Sequence, residues 1–396
     1  MTMAKAERPR RGPDSVRHHN LSTVLTLVHH QRSLPRSRLT SMTGLNRSTV
    51  AALVAELAGL GLVLESEPGP STRVGRPSPT VQPDPRVVAF AVNPEIDAIT
   101  VGVVGLGGTM VKRIRHPLER SPTVNEAVSI AAEIIDRIRA DSAGAYLVAG
   151  IGLALPGLVR DRDGLVRLAP HLGWADEPVA ELLEAATGYP VVGGNDARLG
   201  ADAERLFGAG RGVGDLIYLN GGASGIGGGV IVGGTPLRGV EGYAGEFGHT
   251  LVTGRDARDA AGSQGSLEVE VNRDDLLRAL GISDADPDEL ERALVASTVP
   301  GVRVEVRRQL DFLGIALRNA VDILNPELIV LGGFLGALFA VDGAYLTAKV
   351  AEHALPAAYE CLRIVRAELG SDILMIGAAE LAFASLLADP AAAAFE

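Results

Sequence analysis

Residues 37–63 read SRLTSMTGLNRSTVAALVAELAGLGLV, and their punctuation decides the first part of the fold. Leu39 and Met42 fall on the inward face of a short helix that Gly44 stops. Asn46, a good N-cap, opens the next helix. There Val50, Leu53, Val54 and Leu57 recur at three- and four-residue steps, one apolar stripe, and Gly59 and Gly61 end it. Upstream, Leu21, Val24, Leu25 and Val28 form a similar stripe on a helix that Pro35 breaks. Downstream, Leu62–Glu65 reads as a short strand. The run EPGPSTRVGRPSPTVQPDP (67–85) then reads as a wing passing into a linker that ends near Pro85. Three short helices, a Gly turn, a strand and a basic hairpin make a winged helix-turn-helix, expected over residues 15–80 behind a disordered basic tail, 1–14.

The stripe of the third helix leaves Arg47, Ser48, Thr49 and Ala52 facing outward, so this is the expected recognition helix. Its first turn offers free backbone N–H groups and a positive dipole end to phosphates. Arg47 can reach a guanine edge or a phosphate. Arg36 and Arg38, on the preceding helix, would touch backbone, and Arg73 and Arg76 on the wing could enter a minor groove. The alternative is a helical bundle for protein contacts whose arginines are merely solvated. Charge favours DNA. Residues 1–80 hold 11 Lys and Arg against 5 Asp and Glu, while the rest holds 26 against 43, a basic head on an acidic body. A single such head binds weakly, so operator DNA is expected to be met by a homodimer or a dimer of dimers on a two-fold site.

Composition bounds the remainder. The single cysteine, Cys361, excludes an internal disulfide and a Cys-rich metal cage and points to a reducing cytoplasm. The apolar run near Leu328–Val341 is shorter than the roughly 20 residues a bilayer requires, and glycines interrupt it, so no membrane is expected. The basic N-terminus has no apolar run behind it, unlike a signal peptide.

From Val87 the pattern changes. VVAFAV, AITVGVVG and TMVKRIRHPL read as three strands joined by tight turns, followed by a helix near Asn125–Ala140 and the strand VAGIGLAL. LIYLNGG, GGVIVGG and LRGVEG, then helices, then LIVLGG, repeat that order. Two halves, each strands followed by helices, suggest a duplicated α/β fold with a cleft between lobes. Asn195, Asp196, Glu246, His249 and Glu268 are polar groups flanked by Gly and small residues, able to converge there. Carboxylates accept from sugar hydroxyls, and Asn and His both donate and accept.

The blocks GIGLALPGLV, APHLGW, GGNDARLGA, SGIGGGVIVGG, GYAGEFGH and NAVDILNPELIVLGG together resemble the ROK family of repressors and sugar kinases, over about residues 15–390. The resemblance implies an α/β chain in which the winged head precedes a two-lobed, actin-like sugar-kinase fold: lobe 1 over 81–194 with a C-terminal helix at 375–396, and lobe 2 over 195–374. In the family's kinases the Asp of the NDA block is the general base, here Asp196, beside Asn195. The family's sugar-holding Glu, His and later Glu fall on Glu246, His249 and Glu268.

Two departures stand out. The family's zinc site uses the His of AGExGH and three cysteines. Here Asp259, Ala261 and Ser266 stand at the cysteine positions, so no metal is expected and His249 is left free for the ligand. The family's DxGGT phosphate loop lies between the first two strands. Here that turn is Asn93-Pro94-Glu95-Ile96-Asp97, whose carboxylates repel a triphosphate and whose proline removes a donor. Gly105-Leu106-Gly107-Gly108-Thr109 mimics the loop but reads as the next hairpin turn. Ala223–Gly227 and Gly332-Gly333 match the second phosphate loop and the adenosine-side loop. His171, where the family has Asn, reads as an ordinary exposed loop histidine.

The expected function is a sugar-responsive DNA-binding regulator, most simply a repressor, with a sugar or sugar-phosphate effector, no cofactor and no catalysis. An active sugar kinase with a regulatory head, and a regulator with a vestigial cleft or a protein effector, are the alternatives.

Overall fold

The structure, a computed structural model, describes residues 13–66 and 78–392. Arg73, Arg76 and most of the basic tail lie outside that range. The head comprises α1 (Pro13–Gln31), β1 (Leu34–Pro35), α2 (Arg36–Thr43), α3 (Arg47–Gly59), β2 (Val63–Ser66) and β3 (Thr80–Pro83). Gly44 caps α2 in the left-handed conformation, φ 71°, and the Asn46 side chain accepts from Thr49 N to start α3. The three strands form one antiparallel sheet in the order β1-β3-β2.

Three expectations for the head change. The helix begins at Pro13, inside the expected tail. β3 completes the head's own sheet, so the head extends past residue 80 to Pro83. Met42 is 42% exposed whereas Leu39 is fully buried, because α2 is too short to bury more than one position against α1 and α3.

Lobe 1 begins with β4 (Val87–Pro94), β5 (Ala98–Gly105) and β6 (Thr109–Pro117), an antiparallel meander. α4 (Val124–Ser142), opened by a Thr123/Glu126 capping box, crosses back to β7 (Leu147–Leu155). A small ribbon, β8 (Leu158–Val159), β9 (Val166–Ala169) and β10 (Trp174–Glu177), leads into α5 (Val179–Thr187) and β11 (Val191–Asn195). The sheet order is β11-β7-β4-β5-β6. α6 (Asp196–Phe207) then leaves the lobe.

Lobe 2 repeats the plan with β12 (Leu216–Gly222), β13 (Gly225–Val232) and β14 (Thr235–Pro236). Its helices are α7 (Leu267–Glu270), α8 (Arg273–Leu280), α9 (Pro287–Ala296) and α10 (Pro300–Leu324). β15 (Leu328–Gly332), α11 (Gly333–His353), α12 (Pro356–Tyr359) and β16 (Arg363–Arg366) complete it before α13 (Ile373–Ala388). The order β14-β13-β12-β15-β16 matches lobe 1 strand for strand: three antiparallel strands, then two parallel ones reached by helical crossovers. LRGVEG is not the third strand. That strand is only Thr235–Pro236, and the residues after it form a loop in which Val240 is fully exposed.

The two helices that follow the last strands change sides. α6 packs on β12 and β13 of lobe 2, α13 packs on β4 and β7 of lobe 1, and the two cross each other between the sheets. The crossing is close: a Cβ on Gly377 would lie 2.3 Å from Leu199 O, so only glycine fits there. α11 and the stretch Gly370–Ala388, which contains α13, are long and apolar enough to cross a bilayer by composition alone, but both pack against sheets: α11 on β12 and β15, α13 on lobe 1.

The head is seated on this crossing. Leu21, Val24, Leu25 and Val28 of α1 share one buried cluster with Leu199 and Phe207 of α6 and with Phe383 of α13. The Gly105–Thr109 turn is indeed the β5–β6 hairpin, and it meets the head: His29 Nδ1 accepts from Gly107 N at 2.8 Å, and Arg32 Nε donates to Gly107 O at 2.9 Å. A ring nitrogen that accepts from an amide is unprotonated, so His29 Nε2 carries the hydrogen and donates to Glu380 of α13, 2.9 Å from each carboxylate oxygen. Phe207 closes the joint, edge-on to His29 at 5.5 Å between centroids and under the Arg32 guanidinium at 5.3 Å.

Candidate ligand cleft and DNA-facing head

Asn195, Asp196, Glu246, His249 and Glu268 come from β11, α6, the loop after β14 and α7, and all five line one cleft between the lobes. Glu95, His171, Asn220 and Ser224 line it too. The chain ends its strands on this side of both sheets, where backbone direction changes and side chains of different elements can meet.

The five residues differ in what they have left to offer. Asn195 caps α6: its Oδ1 accepts from Arg198 N at 2.9 Å, and its Nδ2 donates to Gly157 O at 3.0 Å and to Asp196 Oδ1 at 3.3 Å. Its amide is thus occupied within the protein, and its part is to hold Asp196 at the first turn. Burial raises the Asp196 carboxyl to about 7, helped by the nearby Glu246 charge and opposed by the hydrogen bond from Ala197 N. Burial likewise pushes Glu246 up, with His249 opposing and Glu268 adding to the shift. Glu268 has one oxygen, Oε1, buried with no hydrogen-bond partner, and the Ser224 hydroxyl is in the same condition. Buried orphans in a cleft are groups a bound hydroxylic molecule would satisfy.

Two expectations about histidines are corrected. His249 is not wholly free: its Nδ1 lies 2.8 Å from Asp259 Oδ2. Burial works against its protonation, yet the Asp259 hydrogen bond and the charges of Glu268, Asp259 and Glu246 raise its pKa overall. His171 is not a stray loop residue. It follows β9 into the cleft, and its Nε2 is 3.8 Å from Glu268 Oε1. The His-for-Asn substitution was its only signal in the sequence.

Glu95 sits in the β4–β5 turn, as the register Asn93↔Thr100 and Pro94↔Ile99 requires, and faces the cleft. Burial, then the charges of Asp97 and Asp196, raise its carboxyl to about 7 against the pull of Arg115 and Arg273. Glu95 thus adds a carboxylate to a cleft that Asp196, Glu246 and Glu268 already line. Sequence reasoning missed a nearby latch. Arg198 of α6, nearly buried, pairs with Asp161 of the β8–β9 turn, and Arg238 of lobe 2 reaches the same carboxylate at 3.4 Å. Nothing in local sequence couples residues so far apart.

In the head, Arg47 and Ser48 are exposed at the start of α3 and Thr49 is half-buried. The Ser48 hydroxyl donates to Asn46 Oδ1 at 2.7 Å. Arg38 is exposed with no ion pair among the described residues, whereas Arg36 is paired with Glu65 of β2. That pair withdraws Arg36 from the set of free cations.

The fold and cleft define a two-lobed ligand domain of the sugar-kinase type, bearing a winged head. Residues 92–385 match the ROK family, and the chain belongs to it. It is similar to the "Putative xylose repressor" of Caldicellulosiruptor sp. (strain Rt8B.4), 28% identical over 94% of this chain and 97% of that protein. It is also similar to the glucokinase of Streptomyces coelicolor, 30% identical over 72% of this chain and 94% of the kinase. Among solved structures, a ROK family transcriptional regulator described as a homolog of the E. coli MLC protein superposes with a TM-score of 0.75. It covers 94% of this chain and 97% of its own at 22% identity.

Proposed function

We propose that this chain is a sugar-responsive, DNA-binding transcriptional regulator, a repressor in its simplest form, in which the kinase-type lobes bind a sugar and do not phosphorylate it. The observation that carries this reading is the seating of the head on two crossing helices, α6 and α13, the first of which opens in the cleft. α6 starts at Asp196 in the cleft and ends at Phe207 against the head, a span of about 18 Å. A sugar that favours one lobe arrangement biases α6 and α13, and with them the placement of the heads in a homodimer or dimer of dimers on operator DNA. A tenfold change in DNA affinity needs a differential of only about 1.4 kcal/mol between the two arrangements. The relatives support this: the alignment with the repressor takes in 94% of this chain, and that with the kinase takes in 72%, too little for head and both lobes.

The test is anisotropy of full-length protein on DNA from upstream of its own gene, with and without xylose, glucose and their phosphates. Saturable binding that shifts by about tenfold or more with one sugar is expected. Binding indifferent to every sugar would leave only a regulator with a vestigial cleft or a protein effector.

A second reading, an ATP-dependent sugar kinase with a regulatory head, has one observation in its favour. Asp196, raised to about 7, is poised as a general base near neutral pH. Glu95 stands against it, since phosphoryl transfer is mostly positioning and neutralisation of charge and this carboxylate does the reverse. A coupled assay with ATP and a hexose or pentose panel separates the two; turnover above the protein-free control would establish the kinase.

A further inference from the structure

The two ring nitrogens of His249 have different partners. Nδ1 faces Asp259 Oδ2 at 2.8 Å, with Glu268 Oε1 3.8 Å away. The Asp259 side chain is 1% exposed, and its other oxygen, Oδ1, accepts from Ser263 N at 2.8 Å. Asp259 N in turn donates to Ser263 O at 3.0 Å, so the carboxylate is fixed by its own turn. An ionised carboxylate only accepts, and both oxygens of this one face N–H donors, Ser263 N at Oδ1 and the imidazole at Oδ2. The shared hydrogen therefore sits on Nδ1. Nε2 is left for whatever enters the cleft, on a side chain that is 31% exposed.

The family's zinc does not fit here. His249, Asp259 and Glu268 do bring one ligand atom each within 4.8 Å of one another. Ala261 and Ser266 nevertheless supply no thiolate. The 2.8 Å between Nδ1 and Oδ2 is also a hydrogen-bond distance, shorter than the roughly 3.3 Å that two ligands of a tetrahedral zinc keep between them.

We propose that Asp259 is the positioning residue of the cleft: it holds the His249 ring in one tautomer and one orientation, with Nε2 aimed at a sugar hydroxyl, in place of the metal that does this in the family's zinc-bearing members. The principle is the one by which outer carboxylates orient metal-bound imidazoles, applied here with no metal between them. The aim of Nε2 at a sugar rests on the function proposed above; the tautomer does not.

The experiment uses the full chain labelled with 15N-histidine, in wild-type, Asp259→Ala and Asp259→Asn forms. Two-bond 1H–15N spectra, recorded above the ring's titration, read which nitrogen of His249 is protonated. Calorimetry with xylose and glucose reads binding, and circular dichroism confirms the fold. Wild type is expected to hold its hydrogen on Nδ1. Asp259→Asn, whose amide oxygen still accepts, keeps it there and binds sugar within about threefold of wild type. Asp259→Ala passes to a mixture of tautomers and binds about tenfold more weakly, the loss of one well-aimed hydrogen bond. An unchanged tautomer in Asp259→Ala overturns the proposal. So does one zinc per chain whose chelation alters the ring. If wild type binds neither sugar, the functional reading falls, and the tautomer measurement still decides the role of Asp259.

Discussion

Replacing Glu95 by glutamine should stabilise the protein, and only at neutral and alkaline pH. The Glu95 carboxyl titrates at about 7 in the folded chain against an ordinary 4.5, because burial disfavours its charged form and Asp97 and Asp196 repel it. The folded state thus binds more protons than the unfolded state between these values, so this group costs stability as pH rises from about 4.5 to 7, and the loss is complete above that. Two and a half units at about 1.36 kcal/mol each set an upper bound of about 3 kcal/mol. Glu95 borders a cleft open to water, and screening reduces the figure to about 1–2 kcal/mol. Glutamine keeps the shape and removes the charge. Thermal unfolding followed from pH 5 to 8.5 should show the variant matching wild type near pH 5 and exceeding it by about 2–5 °C above pH 7.5. A difference that is absent or negative above pH 7, or equally large at pH 5, would refute the placement of Glu95 beside Asp97 and Asp196.

Three further outcomes follow from the same geometry. Arg47→Ala should weaken specific operator binding by about 10- to 100-fold in anisotropy titrations, with sugar affinity unchanged; intact DNA binding would remove α3 as the recognition helix. Phe207→Ala should leave calorimetric sugar affinity nearly unchanged while shrinking the effect of sugar on DNA affinity towards none. The ring's contacts with His29 and Arg32 are each of the order of 0.5–1.5 kcal/mol, comparable to an allosteric coupling energy; an undiminished sugar response would show that the signal bypasses α6. Asp161→Ala strands the nearly buried Arg198 at the start of α6 and should cost about 3 kcal/mol in denaturant unfolding; a loss below about 0.5 kcal/mol would show that the latch is idle.

How far the sequence carried can be judged from particular residues. Periodicity and caps located the helices of the head, since the stripe Val50-Leu53-Val54-Leu57, Asn46 and Gly44 each act within a turn of their own position. The duplicated strand order and the register that sets Glu95 in the β4–β5 turn were legible for the same reason: a hairpin is a local object. Met42 and the LRGVEG segment misled because burial there depends on what packs against them, and Met42, Leu237 and Val240 stay largely exposed.

The site divided along the same line. Chemistry at single positions was readable, so Asn195, Asp196, Glu246, His249 and Glu268 could be named in advance and lie in one cleft. Tertiary structure alone decided what each of them has left to give. Asn195 spends its amide on Gly157 and Arg198, and His249 Nδ1 lies against Asp259. His171 reaches the cleft, and Arg36 is withdrawn by Glu65. The joint between head and lobes gathers His29, Gly107, Phe207 and Glu380 from four distant stretches of chain. A sequence determines which groups exist and how each segment folds on itself. Which donor meets which acceptor across the core depends on the crossing of α6 and α13, a consequence of close packing between elements that no local pattern encodes.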